Sequence, residues 1–330
     1  MTKVEHWVEG ARLRTLPLAL APTVLANGAA YFSTVHESYL RALSVHLTQG
    51  GEAKNASVAA TIQLQAAGFY TPARFWLLAI LTTLVALCLT VGVNFANDYS
   101  DGVRGTDDVR LGPPRLTGGG LARPEQVKAA AFLSFGIAAV SGLAVVALSG
   151  LWWLLAVGVA AVLAAWFYTG GKRPYGYAGL GELAVFVFYG LVAVLGTLYV
   201  QRMHVFVSDL WLAAPMGAYA CAVLMVNNLR DIPTDSAAGK RTLAVRIGPR
   251  WARISFAALL AVAPVCAVMT APPATAFPFG AALLAAGIAV AAPVLTGAKG
   301  KALITALKRT SLLTLAYSLV WVALWALAAL

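Results

Sequence analysis

Long apolar runs recur along the whole 330-residue chain, broken only by short polar or Pro/Gly interruptions such as Ser149-Gly150 and Ala271-Pro272-Pro273. A helix needs about 20 consecutive apolar residues to cross a bilayer. Many of these runs approach that length. Only 11% of the residues are charged and 60% are hydrophobic, whereas a soluble domain carries about 25% charged residues. The runs are continuous and lack period-two alternation, which excludes a β-barrel. The chain therefore reads as an all-α integral membrane protein, with one membrane-embedded domain over 1–330.

Nine transmembrane helices are expected, at 15–34, 75–96, 127–148, 151–168, 181–200, 210–227, 254–271, 276–296 and 311–329. Glu5, Glu9, Arg12 and Arg14 precede the first span, and no clear small-residue cleavage site follows it. The first span is thus expected to be retained. With this topology only Arg41, Lys54, Arg74 and Arg202 of the 24 basic residues fall on one side. The side holding all the others is assigned to the cytoplasm by the positive-inside rule. The N-terminus is then cytoplasmic and the protein a multi-pass component of the cell (inner) membrane. The segment 35–73 is expected as an outer loop insertion. It contains Asn55-Ala56-Ser57, a chance match to a glycosylation acceptor, and a weak interfacial-helix pattern from Thr61 to Tyr70.

The formal net charge of +11 invites a nucleic-acid partner. The basic residues are dispersed among short loops rather than gathered in one basic domain, so no nucleic acid is expected. Cys88, Cys221 and Cys266 all fall inside apolar runs and show neither disulfide nor zinc spacing.

Two acidic clusters stand at the ends of apolar runs. The first is Asn94-Phe-Ala-Asn97-Asp98-Tyr99-Ser100-Asp101, continuing through Arg104 to Asp107 and Asp108; the second is Asn227-Asn228-Leu-Arg230-Asp231-Ile-Pro-Thr-Asp235. Together they hold six of the thirteen acidic residues. Charge beside a membrane core is costly, so such clusters mark function. On a helix, Asn94, Asp98 and Asp101 share a face, as do Asn97 and Asp101, and as do Asn227, Asp231 and Asp235. Both clusters are expected on the cytoplasmic side, in the loops after spans two and six. Carboxylates this dense need cations to remain ionised together. Mg²⁺, which prefers oxygen ligands and retains open positions, is the natural occupant. Arg104, Arg110 and Arg115 follow the first cluster, and Lys240 and Arg241 the second. Carboxylates and cations in one loop system suit a diphosphate, held by metal on one side and by Arg or Lys on the other. For Asp108 and Glu125 the ordinary reading as loop charges is preferred.

A third loop runs from Tyr168-Thr-Gly-Gly171-Lys172-Arg173-Pro174-Tyr175 through Tyr177 to Glu182. Its Gly and Pro residues suit a turn between spans. Its Lys, Arg and three Tyr suit a substrate role equally well. Glu182 opens span five, where it complements the helix dipole.

These loops together resemble the UbiA superfamily of membrane prenyltransferases, and in particular its 1,4-dihydroxy-2-naphthoate branch in menaquinone synthesis. Asn97 to Asp101 is similar to the first Asp-rich motif of the family, and Asp231 with Asp235 to its second, DxxxD. The runs 168–182 and 227–248 and the segment Gly10-Ala-Arg12-Leu-Arg14-Thr-Leu-Pro17 resemble the naphthoate branch. The resemblance covers nearly the whole chain outside 35–73. The sequence departs from the general pattern at Gly105, where the family has a further Asp, and Asp107 follows two residues later.

The resemblance implies helices around a central cavity and Mg²⁺ held among Asp98, Asp101, Asp107, Asp231 and Asp235. It implies a polyprenyl diphosphate donor whose leaving group is neutralised by Arg110, Arg115, Lys172, Lys240 and Arg241. It implies 1,4-dihydroxy-2-naphthoate as acceptor, with loss of CO₂ to give demethylmenaquinone. Asn97, Arg14, Tyr168 and Lys172 are the expected catalytic contacts. Two other readings remain at this stage. One is a UbiA-type enzyme with a different aromatic acceptor. The other is a membrane cation transporter, which would place its ionisable groups near the bilayer midplane rather than at span ends.

Overall fold

The structure is a computed structural model that describes residues 4–49 (backbone alone from 35), 72–105 and 115–329. Among the described residues every regular element is helical. A short amphipathic helix α1 (Val4–Gly10) leads through a 3₁₀ turn (Leu13–Thr15) into α2 (Leu16–Gln49). There follow α3 (Pro72–Val103), α4 (Pro124–Ser149), α5 (Leu154–Phe167) and α6 (Gly181–Arg202). The remaining helices are α7 (Leu210–Ala237), α8 (Leu243–Leu260), α9 (Val262–Thr270), α10 (Pro273–Leu295) and α11 (Lys301–Ala328).

Among the described residues, seven stretches are long and apolar enough to span a membrane: α3, α4, α6, α7, α8 with α9, α10 and α11. The expected span at 151–168 coincides with α5, which is apolar but only 14 residues long. The expected first span, 15–34, falls on α2 from its second residue onward.

Three expected boundaries move, each for a local reason. The outer loop does not begin at 35, because no Gly or Pro occurs between 35 and Gly50 and α2 runs on to Gln49. The 50–71 remainder of that loop, with Asn55 and the Thr61–Tyr70 pattern, lies outside the described residues. Four acids of the two clusters are not in loops. Both α3 and α7 continue past their apolar parts, so Asp98, Asp101, Asp231 and Asp235 all occupy terminal helical turns. Before 254, a helical segment from Leu243 meets Gly248 (φ 78°) and Pro249, where the axis breaks inside α8.

The bundle is organised around α7, which packs against α2, α6, α8, α9 and α11. It is the most buried of the membrane-length helices. Around it, α3 pairs with α4 and α2, α11 with α2, and α9 with α10. On the outer faces large apolar side chains are exposed, among them Ile80, Leu133, Val140, Trp152 and Phe277. Lipid, not water, is the solvent such faces require.

Lipid tails supply no hydrophobic drive between helices, so close packing and polar pairs must. Gln201 on α6 donates from Nε2 to Asn27 Oδ1 on α2 (2.8 Å) and to the Phe75 carbonyl on α3 (3.1 Å). On α11, Thr310, Thr314 and Ser318 form a fully buried row, and Ser318 donates to the Ala21 carbonyl of α2 (2.8 Å). The middle of α6 is a π-helical segment (Phe186–Val192). There Gly190 approaches α7 so closely that an added Cβ would lie 2.8 Å from Gly217 Cα.

Candidate active site

The ends of α3 and α7 and the loops beside them enclose a pocket of about 650 Å³, counting its open mouth. Asp101 is contributed by α3 and Asp231 and Asp235 by α7. Residues remote in sequence meet here because α3 and α7 both finish at this end of the bundle.

On α3, two helical faces divide the work. Asn97 and Asp101, four residues apart, face the pocket. Asn97 Oδ1 accepts from Thr169 Oγ1 (2.7 Å). Asp101 is 4% exposed; its Oδ1 accepts from the Tyr177 hydroxyl (2.6 Å) and Lys240 Nζ (3.1 Å). Its Oδ2 stands 3.7 Å from Arg115 Nη2. The neighbouring face carries Asn94 and Asp98, which serve the scaffold. Asn94 donates to the Ala11 carbonyl (3.0 Å) and to Thr15 Oγ1 (3.4 Å). Asp98 is 1% exposed and accepts the backbone N–H of Leu116 (3.0 Å) and Thr117 (2.8 Å). The sequence grouped Asp98 with the metal ligands. Here it is absent from the pocket lining and instead anchors the segment that carries Arg115.

On α7, the Arg230 guanidinium grips Asp231 with both oxygens engaged (2.7 and 2.6 Å) and also donates to Asn227 Oδ1 (3.0 Å). Asp235 lines the pocket a turn further on, and its carbonyl receives the Lys240 backbone N–H (2.8 Å). That bond folds the chain after α7 back over the pocket and buries Lys240, whose ammonium lies 4.6 Å from the Tyr177 ring centroid. Burial alone would depress the Lys240 ammonium. The Asp101 carboxylate more than offsets this and holds it above the ordinary lysine value.

The loop between α5 and α6 closes the pocket through Tyr168, Thr169, Gly176 and Tyr177. Arg104 pins this loop by donating to the carbonyls of Thr169 and Gly171. Lys172 and Arg241 are exposed and outside the lining. Arg241 contributes its backbone N–H to the Tyr177 carbonyl (2.9 Å). Arg115, Lys240, Asn97 and Tyr168 line the pocket as expected residues. Asp107 and Arg110 lie outside the described residues.

Arg14 is not in the lining, and Arg12 is. Arg12 holds a left-handed backbone (φ 56°, ψ 59°), a conformation that costs a side-chain-bearing residue about 1–2 kcal/mol. The sequence offers both arginines, and spacing along a turn does not reveal which one reaches the pocket lining. Tyr177 and Thr169 also escape sequence reasoning as individual ligands. Their presence in the same Tyr-rich loop was the available signal.

The donor set suits a hard, oxygen-preferring divalent ion: three carboxylates with the amide oxygens of Asn97 and Asn227 around one pocket. Among the described residues no three Asp, Glu, His or Cys side chains cluster tightly enough to enclose a metal alone. That arrangement fits Mg²⁺, which is usually bound by one or two carboxylates plus substrate phosphates rather than by an all-protein cage. Asp101 with Asp231 and Asp235 are the residues that would hold it.

Residues 57–313 match the model of the UbiA prenyltransferase family. Over 97% of this chain and 96% of the relative, the sequence is 45% identical to the 1,4-dihydroxy-2-naphthoate octaprenyltransferase of Mycobacterium tuberculosis. It is 34% identical to the protein of the same name from Escherichia coli, over 81% of this chain and 76% of that one. The fold is shared with a UbiA homolog from Archaeoglobus fulgidus whose structure was solved bound to DMAPP and Mg²⁺. The TM-score is 0.59 at 12% identity, covering 96% of this chain and 99% of that one. By family match, by full-length relatives and by fold, this chain belongs to the UbiA prenyltransferase family.

Proposed function

We propose that this protein transfers a polyprenyl group from a polyprenyl diphosphate to 1,4-dihydroxy-2-naphthoate, with decarboxylation. The observation that carries this reading is that Asp101, Asp231 and Asp235 meet Arg115 and Lys240 in one pocket at the end of an apolar bundle. The naphthoate prenyltransferase names of relatives from M. tuberculosis and E. coli support the choice of acceptor. The solved UbiA homolog with DMAPP and Mg²⁺ supports the metal and the class of donor.

The diphosphate enters at the polar mouth, where Arg115 and Lys240 take its oxygens in exchange for those of Asp101. Asp101, Asp231 and Asp235 would hold Mg²⁺, which would supply charge neutralisation to the departing diphosphate. The fixed cations favour cleavage of the allylic C–O bond because charge develops there in the transition state. The apolar interior holds the prenyl tail and keeps water from the allylic cation. Tyr168 and Asn97 face the ring of the acceptor. The ring carbon that bears the carboxylate forms the new C–C bond. Its bond to the carboxylate then breaks, CO₂ leaves, and the electron pair returns to the ring. The product is demethylmenaquinone in its hydroquinone form, so no base is needed to remove a ring proton.

The whole chain acts as one membrane-embedded domain. It crosses the cell (inner) membrane nine times, with α2 and α5 completing the seven longer spans. The N-terminus and the pocket lie on the cytoplasmic side, as the distribution of Lys and Arg indicates. Purified protein incubated with Mg²⁺, a polyprenyl diphosphate and 1,4-dihydroxy-2-naphthoate is expected to release CO₂ and form the prenylated product. Asp101→Asn and Asp231→Asn are each expected to reduce turnover at least ~100-fold with the helical fold retained by circular dichroism. Near-normal turnover in both variants, or strict preference for another aromatic acceptor, would refute the assignment.

A further inference from the structure

We propose that the groove between α8 and α10 binds one anionic phospholipid of the bilayer, with an acyl chain along the groove and the phosphate at Arg250 and Lys299. The groove shares no lining residue with the active-site pocket, and the proposal does not rest on the reading of the substrates.

The groove measures about 460 Å³, counting its open side, and every residue that lines it is apolar. Its floor is Leu260 of α8 with Gly287 and Ala291 of α10, all buried. Small residues keep that floor low. A Cβ added at Gly287 would already stand 3.8 Å from Leu260 Cβ. On α10 the lining runs from Leu284 to Leu295, about 16 Å along the helix axis. One leaflet of a hydrocarbon core about 30 Å thick is about 15 Å deep. The groove thus has the length over which a lipid tail lies in its own leaflet.

Charge gathers at one end of it. Ala257 brings α8 to the groove. Arg253 and Arg250 precede it by four and seven residues, on the same helical face. Arg253 donates to the carbonyls of Val294 and Ala298. These bonds tie α8 to the last turn of α10 and hold the following turn, which carries Lys299, at the end of the groove. Arg250, Lys299 and Lys301 are exposed and, among the described residues, have no carboxylate partner. No Asp or Glu follows Asp235 in the sequence.

The positive-inside rule accounts for basic residues at this end of the bundle. It does not account for an apolar slot that finishes beside them. A phosphate joined to an acyl chain matches both parts, as anionic headgroups do in basic pockets between membrane helices. A second copy of the chain does not match. Pairing this face across a two-fold axis along the membrane normal would bring the same uncompensated cations toward each other.

The test is native mass spectrometry of the full-length protein released from detergent micelles, with dioleoyl phosphatidylglycerol and dioleoyl phosphatidylcholine as the probes. Wild type is expected to retain one phosphatidylglycerol per chain and to bind it about 10-fold more tightly than phosphatidylcholine. In the double variant Arg250→Gln, Lys299→Gln its affinity is expected to fall roughly 10–30-fold. Ala292→Phe fills the groove from an exposed position and is expected to abolish retention with every charge in place. Both variants are expected to keep the wild-type helical content by circular dichroism, since the altered side chains are exposed. Equal retention of the two lipids, or phosphatidylglycerol binding unchanged in either variant, would overturn the proposal. So would a wild-type dimer that Ala292→Phe separates, which would give the groove to a second copy.

Discussion

Asp101 shares its two oxygens among Tyr177, Lys240 and Arg115, so one buried carboxylate faces two cations. The surplus positive charge is what an incoming diphosphate meets. Removing Lys240 takes from Asp101 one of its two cations, and a hydrogen bond to a charged group contributes about 1.5–3 kcal/mol. Lys240→Met is therefore expected to lower the unfolding free energy by about 1.5–3 kcal/mol, and by less when introduced beside Asp101→Asn. Denaturant titration of the single and double variants in detergent checks this. The pH dependence follows from the raised Lys240 ammonium. A raised value stabilises the fold fully below the ordinary lysine value and loses that contribution only as pH climbs past the folded one. Melting temperature is thus expected to show no loss from this pair between about pH 6 and 9. Asp98 tests the scaffold role. Asp98→Ala deletes the acceptor for two backbone amides and is expected to cost about 2–4 kcal/mol, with the prenyl diphosphate KM raised through displacement of Arg115. At this scale the sequence disclosed which residue types would gather and not how they would divide. Asn94 with Asp98 and Asn97 with Asp101 have the same four-residue spacing, and only the packing of the 115–117 and 11–15 segments distinguishes the faces.

The helices themselves were largely legible, because continuous apolar runs admit few other structures in lipid. Their ends were less so. The runs stop where lipid stops, whereas α3 and α7 continue in the polar zone as long as nothing breaks them. That continuation converts expected loop residues into a rigid display of acids. The π-helical stretch of α6 left no mark on the apolar pattern, and it lies where Gly190 meets α7. Gly190→Ala makes that contact measurable. Its new methyl would meet backbone atoms of Gly217 and Ala213 at 2.8 to 3.0 Å, and overpacking of this kind costs about 1–3 kcal/mol. Gly196→Ala, six residues further along the same helix, meets nothing within 4 Å and is expected to be neutral or slightly stabilising. Comparison of the two melting temperatures decides whether the close approach matters.

For the molecule as a whole, arrangement around α7 could not be read from any single span, since each looks alike to a lipid. One clue was present: the helix with the second acidic cluster is surrounded by neighbours and has the lowest hydropathy of the seven long spans. A helix screened from lipid on most sides has less need to be uniformly apolar. Orientation is testable at this scale. Lys172 is exposed beside the pocket mouth. Lys172→Cys is expected to react with a membrane-impermeant thiol reagent in inverted vesicles and not in intact spheroplasts; the reverse labelling would turn the molecule over.

Because Asp231 and Asp235 ride on the helix against which most of the others lean, the acidic side of the pocket has no freedom of its own. The cations sit differently, Arg115 and Lys240 both on segments between helices. Adjustment to donors of different size therefore falls to the basic side alone. Any solvent or detergent that loosens the bundle forfeits the ion-binding side at the same moment as its architecture.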